Sequence, residues 1–72
     1  NPMADIQSIV TGSVWKIEKQ AGDTVAAGDC IMIMESMKME IPIEATRGGV
    51  LRELFVKEGD SVTEGDVVAQ VG

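Results

Sequence analysis

The sequence repeats itself with a shift of 37 residues, so that residues 12–35 align with residues 49–72. Six of these 24 pairs are identical, and apolar positions match elsewhere, as Val14 matches Leu51. The identical pairs are Gly12/Gly49, Gly22/Gly59, Asp23/Asp60, Val25/Val62, Gly28/Gly65 and Asp29/Asp66. Neither copy is long enough to bury a hydrophobic face alone, so the two copies must share one core.

The length and net charge of the chain limit its possible functions before any motif is considered. The 72 residues form a single domain, which we place at residues 3–72, with Asn1 and Pro2 interpreted as a vector remnant. Six basic against twelve acidic side chains give a formal charge of −6, which disfavours nucleic acid and anionic membranes as partners. Neither a signal peptide nor a membrane span is visible, so a cytoplasmic location is predicted. The domain on its own is expected to be a monomer. Histidine is absent, which argues against catalysis and against a metal site.

Each copy has the pattern of β-strands rather than of helices. The segments VWKIE at 14–18 and VLRELFV at 50–56 are rich in β-branched and aromatic residues with partial alternation. CIMIM at 30–34 and VVAQV at 67–71 are short apolar runs, and Gly-Asp dipeptides separate the segments at turn positions. Two such units packed face to face predict a small sandwich or flattened barrel with a pseudo-twofold axis.

The segment between the two copies predicts one more strand. Apolar residues alternate with polar ones over residues 39–46, as in a half-buried strand. Pro42 has no N–H to donate, so this strand is expected at a sheet edge or a bulge. Residues 47–49, Arg-Gly-Gly, then turn the chain into the second copy.

The repeat also predicts where Lys38 lies. The 37-residue shift carries Lys38 onto residue 1 in one direction and just beyond Gly72 in the other. We therefore expect Lys38 at a hairpin tip, in solvent, at the end of the domain opposite the chain termini. Met37 and Met39 flank it, and an exposed methionine pair would favour contact with a visiting protein, with ordinary packing as the alternative.

The segment ESMKME at 35–40 resembles the modification site of the biotinyl/lipoyl attachment domains, whose biotin branch carries Met-Lys-Met. The resemblance extends to AGDTVAAGD at 21–29, ATRGGV at 45–50 and KEGDSVTEGD at 57–66, and so covers nearly the whole chain. It implies an all-β fold, a flattened barrel of two four-stranded antiparallel sheets with the modified lysine at a hairpin tip. This agrees with the fold predicted from the repeat.

The resemblance also implies a function. Lys38 would be biotinylated by a biotin protein ligase, and the domain would be a non-catalytic carrier of a multicomponent biotin-dependent carboxylase. It would shuttle carboxyl groups from a biotin carboxylase to a carboxyltransferase. The protein would supply binding and orientation, because the cofactor performs the chemistry.

The residues around the lysine are expected to guide the ligase. By resemblance, Met37 and Met39 distinguish biotin sites from lipoyl sites, which more often read Asp-Lys-Ala, and Glu35 matches an acidic position of both branches. Ser36 and Glu40 complete the flanking set. Two departures stand out: Ser36 replaces the alanine of many biotin sites, and residues 14–25 lack the insertion that forms a protruding thumb in some carrier subunits.

Three alternative functions stay open. A lipoyl carrier, or one that takes biotin and lipoate alike, is compatible with Ser36 and the thumbless outline. An unmodified structural module would tolerate Lys38→Arg, whereas either carrier would be abolished. An enzyme with a nucleophilic or Schiff-base Lys38 would require a desolvated pocket.

The remaining candidates are assigned to the fold. The aspartates of the Gly-Asp dipeptides fit turns better than metal ligands, because they recur in both copies. Trp15 and Phe55 are interpreted as packing residues, and Cys30 as a buried, inert thiol.

Overall fold

The chain folds into two four-stranded antiparallel sheets, as a computed structural model that describes residues 3–72 shows. Asn1 and Pro2, with their interpretation as a vector remnant, lie outside the described residues. Over residues 3–72 every regular element is a strand, and no helix is long and apolar enough to cross a membrane. The strands are β1 Ala4–Gln7, β2 Gly12–Ile17, β3 Thr24–Val25, β4 Cys30–Ser36, β5 Met39–Glu44, β6 Gly49–Leu54, β7 Ser61–Val62 and β8 Val67–Val71.

The order of the strands confirms the predicted pseudo-twofold symmetry. One sheet runs β1-β8-β6-β3 and the other β5-β4-β2-β7. The 37-residue shift carries β2, β3 and β4 onto β6, β7 and β8, and carries β1 onto β5, so each strand has its mate in the other sheet. The short strands β3 and β7 each pair with a strand of the other copy. Each copy therefore completes the sheet of its partner.

Four Gly-Asp turns hold the short strands in place. In each turn the aspartate N–H donates to the carbonyl three residues earlier, and its carboxylate accepts the N–H of that same residue at 2.8–3.0 Å. The glycine before each aspartate has a φ of 91–98°, the positive value that the third residue of a type II turn requires. The turns span residues 20–23, 26–29, 57–60 and 63–66. The predicted turn role of these aspartates is confirmed, and no metal-binding group of carboxylates occurs within residues 3–72.

The turns also bond the two copies to each other. Gly22 donates its N–H to the carbonyl of Leu51, and Leu51 donates its own N–H to the carbonyl of Asp23, both at 2.8 Å. The mates 37 residues away repeat the arrangement, since Gly59 donates to the carbonyl of Val14 at 2.8 Å. The symmetry therefore extends to single hydrogen bonds between backbone groups.

β-Bulges explain where the strands depart from the alternation of inward and outward side chains. Ile31 is the extra residue of a bulge in β4, and its mate Val68 is the extra residue of a bulge in β8. Each bulge turns two consecutive side chains inward, so that Ile31 and Met32, like Val68 and Ala69, are fully buried. The core thus gains two side chains that strict alternation would leave outside.

A second pair of bulges turns side chains outward. Trp15 in β2 and its mate Arg52 in β6 are the extra residues, and both side chains are exposed. Trp15 is 49% exposed and Phe55 is 47% exposed, so the expectation that both are packing residues is wrong. In β2 the bulge places the indole ring on the outer face of the sheet, a local departure that alternation cannot predict.

The close approach of β2 to β4 yields a test of the packing. A Cβ added at Gly12 would overlap the carbonyl oxygen of Glu35 and lie 3.2 Å from the Cβ of Ser36. The Glu35 carbonyl is part of the backbone, so it cannot move aside as the end of a flexible side chain can. We predict that Gly12→Ala lowers the free energy of unfolding by about 2–3 kcal/mol, measured by urea denaturation and far-UV circular dichroism.

Gly48→Ala is the matched control, because a Cβ there meets only ordinary contacts, the nearest being the Val25 carbonyl oxygen at 3.5 Å. This variant should stay within about 0.5 kcal/mol of the parent protein. Equal effects of the two substitutions would contradict the close approach.

Candidate functional site

Lys38 lies in a two-residue loop at the tip of the β4–β5 hairpin. Ser36 pairs with Met39 across the hairpin, so that only Met37 and Lys38 form the turn. Their φ angles are 52° and 66°, the positive values of a type I′ turn, which Asn-Gly adopts most readily. A left-handed conformation costs about 1–2 kcal/mol for a residue with a side chain such as these. Strain of this kind is found at functional sites, and here it coincides with the predicted attachment lysine.

The hairpin extends beyond the core of the sandwich. The inward positions of β5 become more exposed towards the tip, since Ile43 is 2% exposed, Ile41 is partly buried and Met39 is 60% exposed. The predicted alternation of this strand is therefore confirmed at its base and lost at its tip. Pro42 lies on β5 at the edge of its sheet, as expected for a residue that cannot donate to a partner strand.

Lys38 itself is exposed and makes no hydrogen bond or ion pair with any residue in the range 3–72. It lines neither the surface pocket that includes Pro42 and Ile43 nor the one that includes Phe55 and Lys57. A nucleophilic or Schiff-base lysine needs a desolvated pocket, which this position does not provide. The amine is instead available to an enzyme that approaches the tip.

The methionines of the hairpin divide into two kinds. Met32 and Met34 in β4 are fully buried in the core, whereas Met37 is 92% exposed and Met39 is 60% exposed. Ordinary packing, the alternative left open for the flanking pair, is therefore wrong for Met37 and Met39. Two exposed thioether side chains beside a lysine form a small adaptable apolar surface, which suits contact with another protein.

Two carboxylates face each other just below the tip. Glu35 in β4 pairs directly with Glu40 in β5, and both side chains are exposed. Like charges directly opposite each other destabilise a strand pair, so this arrangement does not stabilise the hairpin. The fold thus brings the predicted flanking residues together around Lys38, with the acidic pair below and Met37 and Met39 nearer the tip.

Ser36 is the one flanking residue that faces the body of the domain. Its hydroxyl donates to the carbonyl oxygen of Thr11 at 2.7 Å. Sequence reasoning misses Thr11, in the loop before β2, because its contact with the hairpin joins residues far apart in the chain. The one signal in the sequence is that Thr11 stands where the second copy has Gly48.

The C-terminal end lies towards the base of the hairpin. Gly72 and Val50 exchange two backbone hydrogen bonds of 3.0 and 3.1 Å, and Val50 pairs with Thr24 of β3. The turn that follows β3 leads directly into Cys30, the first residue of β4. Lys38 lies beyond the other end of β4, so the hairpin tip points away from the C-terminus, as the repeat predicted.

Cys30 lies outside the candidate site. It is half-buried rather than buried, and its thiol donates to the carbonyl oxygen of Met32 at 3.4 Å. Burial, reinforced by the charges of Glu18 and Glu44, raises the pKa of this thiol above its ordinary value. The group is therefore a protonated, weakly reactive thiol at neutral pH, in agreement with the inert role predicted for it.

A compact all-β scaffold that presents an exposed lysine on a projecting hairpin is typical of carrier domains, which offer an attachment point and leave catalysis to their partners. Comparison with known proteins identifies the family. The biotin/lipoyl model, described as biotin-requiring enzyme, matches residues 2–71, and the chain belongs to this family. It is a carrier domain rather than a catalytic one.

Two curated relatives match over most of their own length. The chain is 48% identical over 62 residues to the biotin/lipoyl attachment protein of Bacillus subtilis (strain 168), covering 86% of this chain and 85% of that protein. It is 34% identical over 67 residues to the biotinylated protein TB7.3 homolog of Mycobacterium leprae (strain TN), covering 93% of this chain and 94% of that protein.

A solved structure extends the similarity to a large enzyme. The crystal structure of the Kluyveromyces lactis urea carboxylase superposes on the chain with a TM-score of 0.95 and 38% sequence identity. The match covers 100% of this chain and 6% of that one. The same fold thus occurs as a small part of a much longer carboxylase chain.

The strained turn generates a second prediction. Met37→Asn places a residue that tolerates the left-handed conformation where the φ is 52°, and should raise the free energy of unfolding by about 0.5–1 kcal/mol in urea denaturation. Met39→Asn makes the same chemical change in a strand, where asparagine is disfavoured, and should give no gain. A Met37→Asn variant no more stable than Met39→Asn would contradict the strain.

Proposed function

We propose that Lys38 is biotinylated on its ε-amine by a biotin protein ligase, and that the domain carries carboxyl groups between the biotin carboxylase and the carboxyltransferase of a biotin-dependent carboxylase. The observation that carries this proposal is the lysine held in solvent between two exposed methionines. The likeness to a biotinylated protein and to a urea carboxylase supports biotin as the cofactor.

The residues present fit the attachment of such a group. Acylation of Lys38 breaks no contact, because its amine has no partner among the described residues. The tip is open enough to enter the active site of a ligase, since Met37 beside it is 92% exposed. Biotin, once attached, supplies the carrier atom for an activated carboxyl group.

The scaffold contributes position and reach. β4 holds seven residues between its base and the turn, which at about 3.3 Å per residue separates Lys38 from that base by roughly 20 Å. The flexible lysine side chain adds further reach and allows the attachment point to visit two sites in succession. Tethering then replaces two diffusive encounters with local ones at high effective concentration.

A lipoyl carrier, or a domain that takes either cofactor, is the second candidate. Ser36 in place of alanine and the likeness to a biotin/lipoyl attachment protein favour it. Under this alternative the same exposed amine of Lys38 would be lipoylated, and Glu35, Ser36 and Glu40 would face a lipoate ligase instead. A monomeric state and a cytoplasmic location remain predictions in both cases.

Modification in cells tests the proposal. We predict that co-expression with a biotin protein ligase adds one biotinyl group to the intact protein, measured by mass spectrometry, and that Lys38→Arg abolishes the increment. Amide formation removes one positive charge, so the formal charge changes from −6 to −7 and the product migrates faster on a native gel.

Lys16→Arg and Lys57→Arg are the controls, since both lysines lie away from the tip of the hairpin and should leave the increment intact. A parallel co-expression with a lipoate ligase separates the two cofactors. An unmodified protein under both ligases would refute the carrier function and favour a structural module.

The flanking methionines generate a further prediction. Met37→Asp combined with Met39→Ala gives the sequence pattern more often found at lipoyl sites, and should shift the ratio of biotinylation to lipoylation by about tenfold or more in competition. Loss of apolar contacts worth about 1.5–3 kcal/mol per side chain accounts for a change of this size.

Met3→Ala is the control for the loss of a methionine elsewhere, because Met3 is 49% exposed and lies outside the hairpin. It should leave the ratio unchanged. A double variant that keeps the ratio of the parent protein would show that the methionines do not select the cofactor.

A further inference from the structure

A chain of two side-chain hydrogen bonds runs from the lysine hairpin, through the loop before β2, to the turn after β7. The hydroxyl of Ser36 donates to the carbonyl oxygen of Thr11 at 2.7 Å, and the hydroxyl oxygen of Thr11 accepts the backbone N–H of Glu64 at 2.9 Å. Ser36 is the last residue of β4, Thr11 precedes β2, and Glu64 lies in the Gly-Asp turn after β7. We call this chain of contacts, made by Ser36, Thr11 and Glu64, the brace.

The brace breaks the symmetry of the fold. The 37-residue shift carries Thr11 onto Gly48, which has no side chain, and carries Glu64 back onto Ala27. The second copy forms the same strands and turns without these contacts, so the fold does not require the brace. It occurs only at the end of the domain where Lys38 lies.

The hairpin tip has few other restraints. Met37, Lys38 and Met39 project beyond the core and are exposed, and the turn at Met37 and Lys38 is strained. Lys38 is the second residue after Ser36, so a bond at Ser36 restricts the base of the turn directly. Gly12 permits the close approach that brings Thr11 within reach, because a side chain there would strike Glu35.

We propose that Thr11 and Ser36 are positioning residues that hold the lysine turn in one orientation for its modifying ligase. This inference rests on the proposed function of Lys38. The two side chains act through the hairpin. A tip held in one conformation is already ordered when it enters the ligase site, whereas a mobile tip must lose conformational freedom on binding. Met37 and Met39 are then presented together with the amine as one surface.

The test measures the tip and the modification separately. Ser36→Ala removes the hydroxyl that donates to the Thr11 carbonyl, and Thr11→Val removes the hydroxyl that accepts the Glu64 N–H while keeping the shape of the side chain. We expect the backbone order parameters of residues 37–40, from nitrogen-15 relaxation, to fall from the rigid value of about 0.85 towards roughly 0.6 in both variants. The rate of biotinylation by purified ligase should fall roughly fivefold, the factor that corresponds to one net hydrogen bond.

Three variants complete the design. Thr11→Ser retains the hydroxyl and should restore both the order of the tip and the rate. Ser61→Ala and Thr63→Val alter neighbouring hydroxyls that make no side-chain hydrogen bond among the described residues, and should change neither quantity.

The outcomes distinguish the inference from the proposed function. Unchanged order parameters in Ser36→Ala and Thr11→Val would overturn the brace, and so would a slower reaction with an unchanged tip, since the side chains would then act by touching the ligase. Failure of the parent protein to accept biotin would refute the proposed function, while the relaxation measurement would still decide whether the brace orders the tip.

Discussion

The exchange of backbone hydrogen bonds between the two copies is the interaction on which the rest of the structure depends. The short strand of each copy belongs to the sheet that is built mainly from the other copy. The Gly-Asp turn before that strand also forms backbone hydrogen bonds with a central strand of the other copy. Neither sheet is complete without the other copy, and the shared core follows from this exchange. A domain of 72 residues gains from such interlocking, because a core of this size has little surface to bury.

The symmetry also explains why one hairpin can serve a function. Strands β4 and β8 are mates, and β4 continues through Met37 and Lys38 into β5. The side chains of this loop project beyond the core, so they are not needed to close it. Its two left-handed residues, its exposed methionines and its facing carboxylates each reduce stability or leave it unimproved. The proposed modification of Lys38 by a ligase accounts for their presence together at one tip.

Much of the fold follows from the sequence, for physical reasons that differ between elements. The apolar run at residues 30–34 and the alternation after Met39 give β4 and β5, and Pro42 gives the edge position, because each is a local property of the chain. The residue pattern does not predict strand β1 or the two-residue strands β3 and β7. They are too short for periodicity and form through pairing with distant segments. The prediction for Trp15 is wrong because a bulge, which depends on register, turns this side chain outward.

The candidate site could be predicted to a similar extent. Lys38, its neighbours and their exposure follow from the repeat and the hairpin, whereas the contact of Ser36 with Thr11 depends on the close approach of two strands.

The most direct test of the proposed biotinylation of Lys38 is proteolysis and tandem mass spectrometry of the protein isolated from its native cells. We predict a biotinyl group on the peptide that contains Lys38 and on none that contains Lys16, Lys19 or Lys57. An unmodified Lys38, a lipoyl group in its place, or a biotinyl group on another lysine would contradict it.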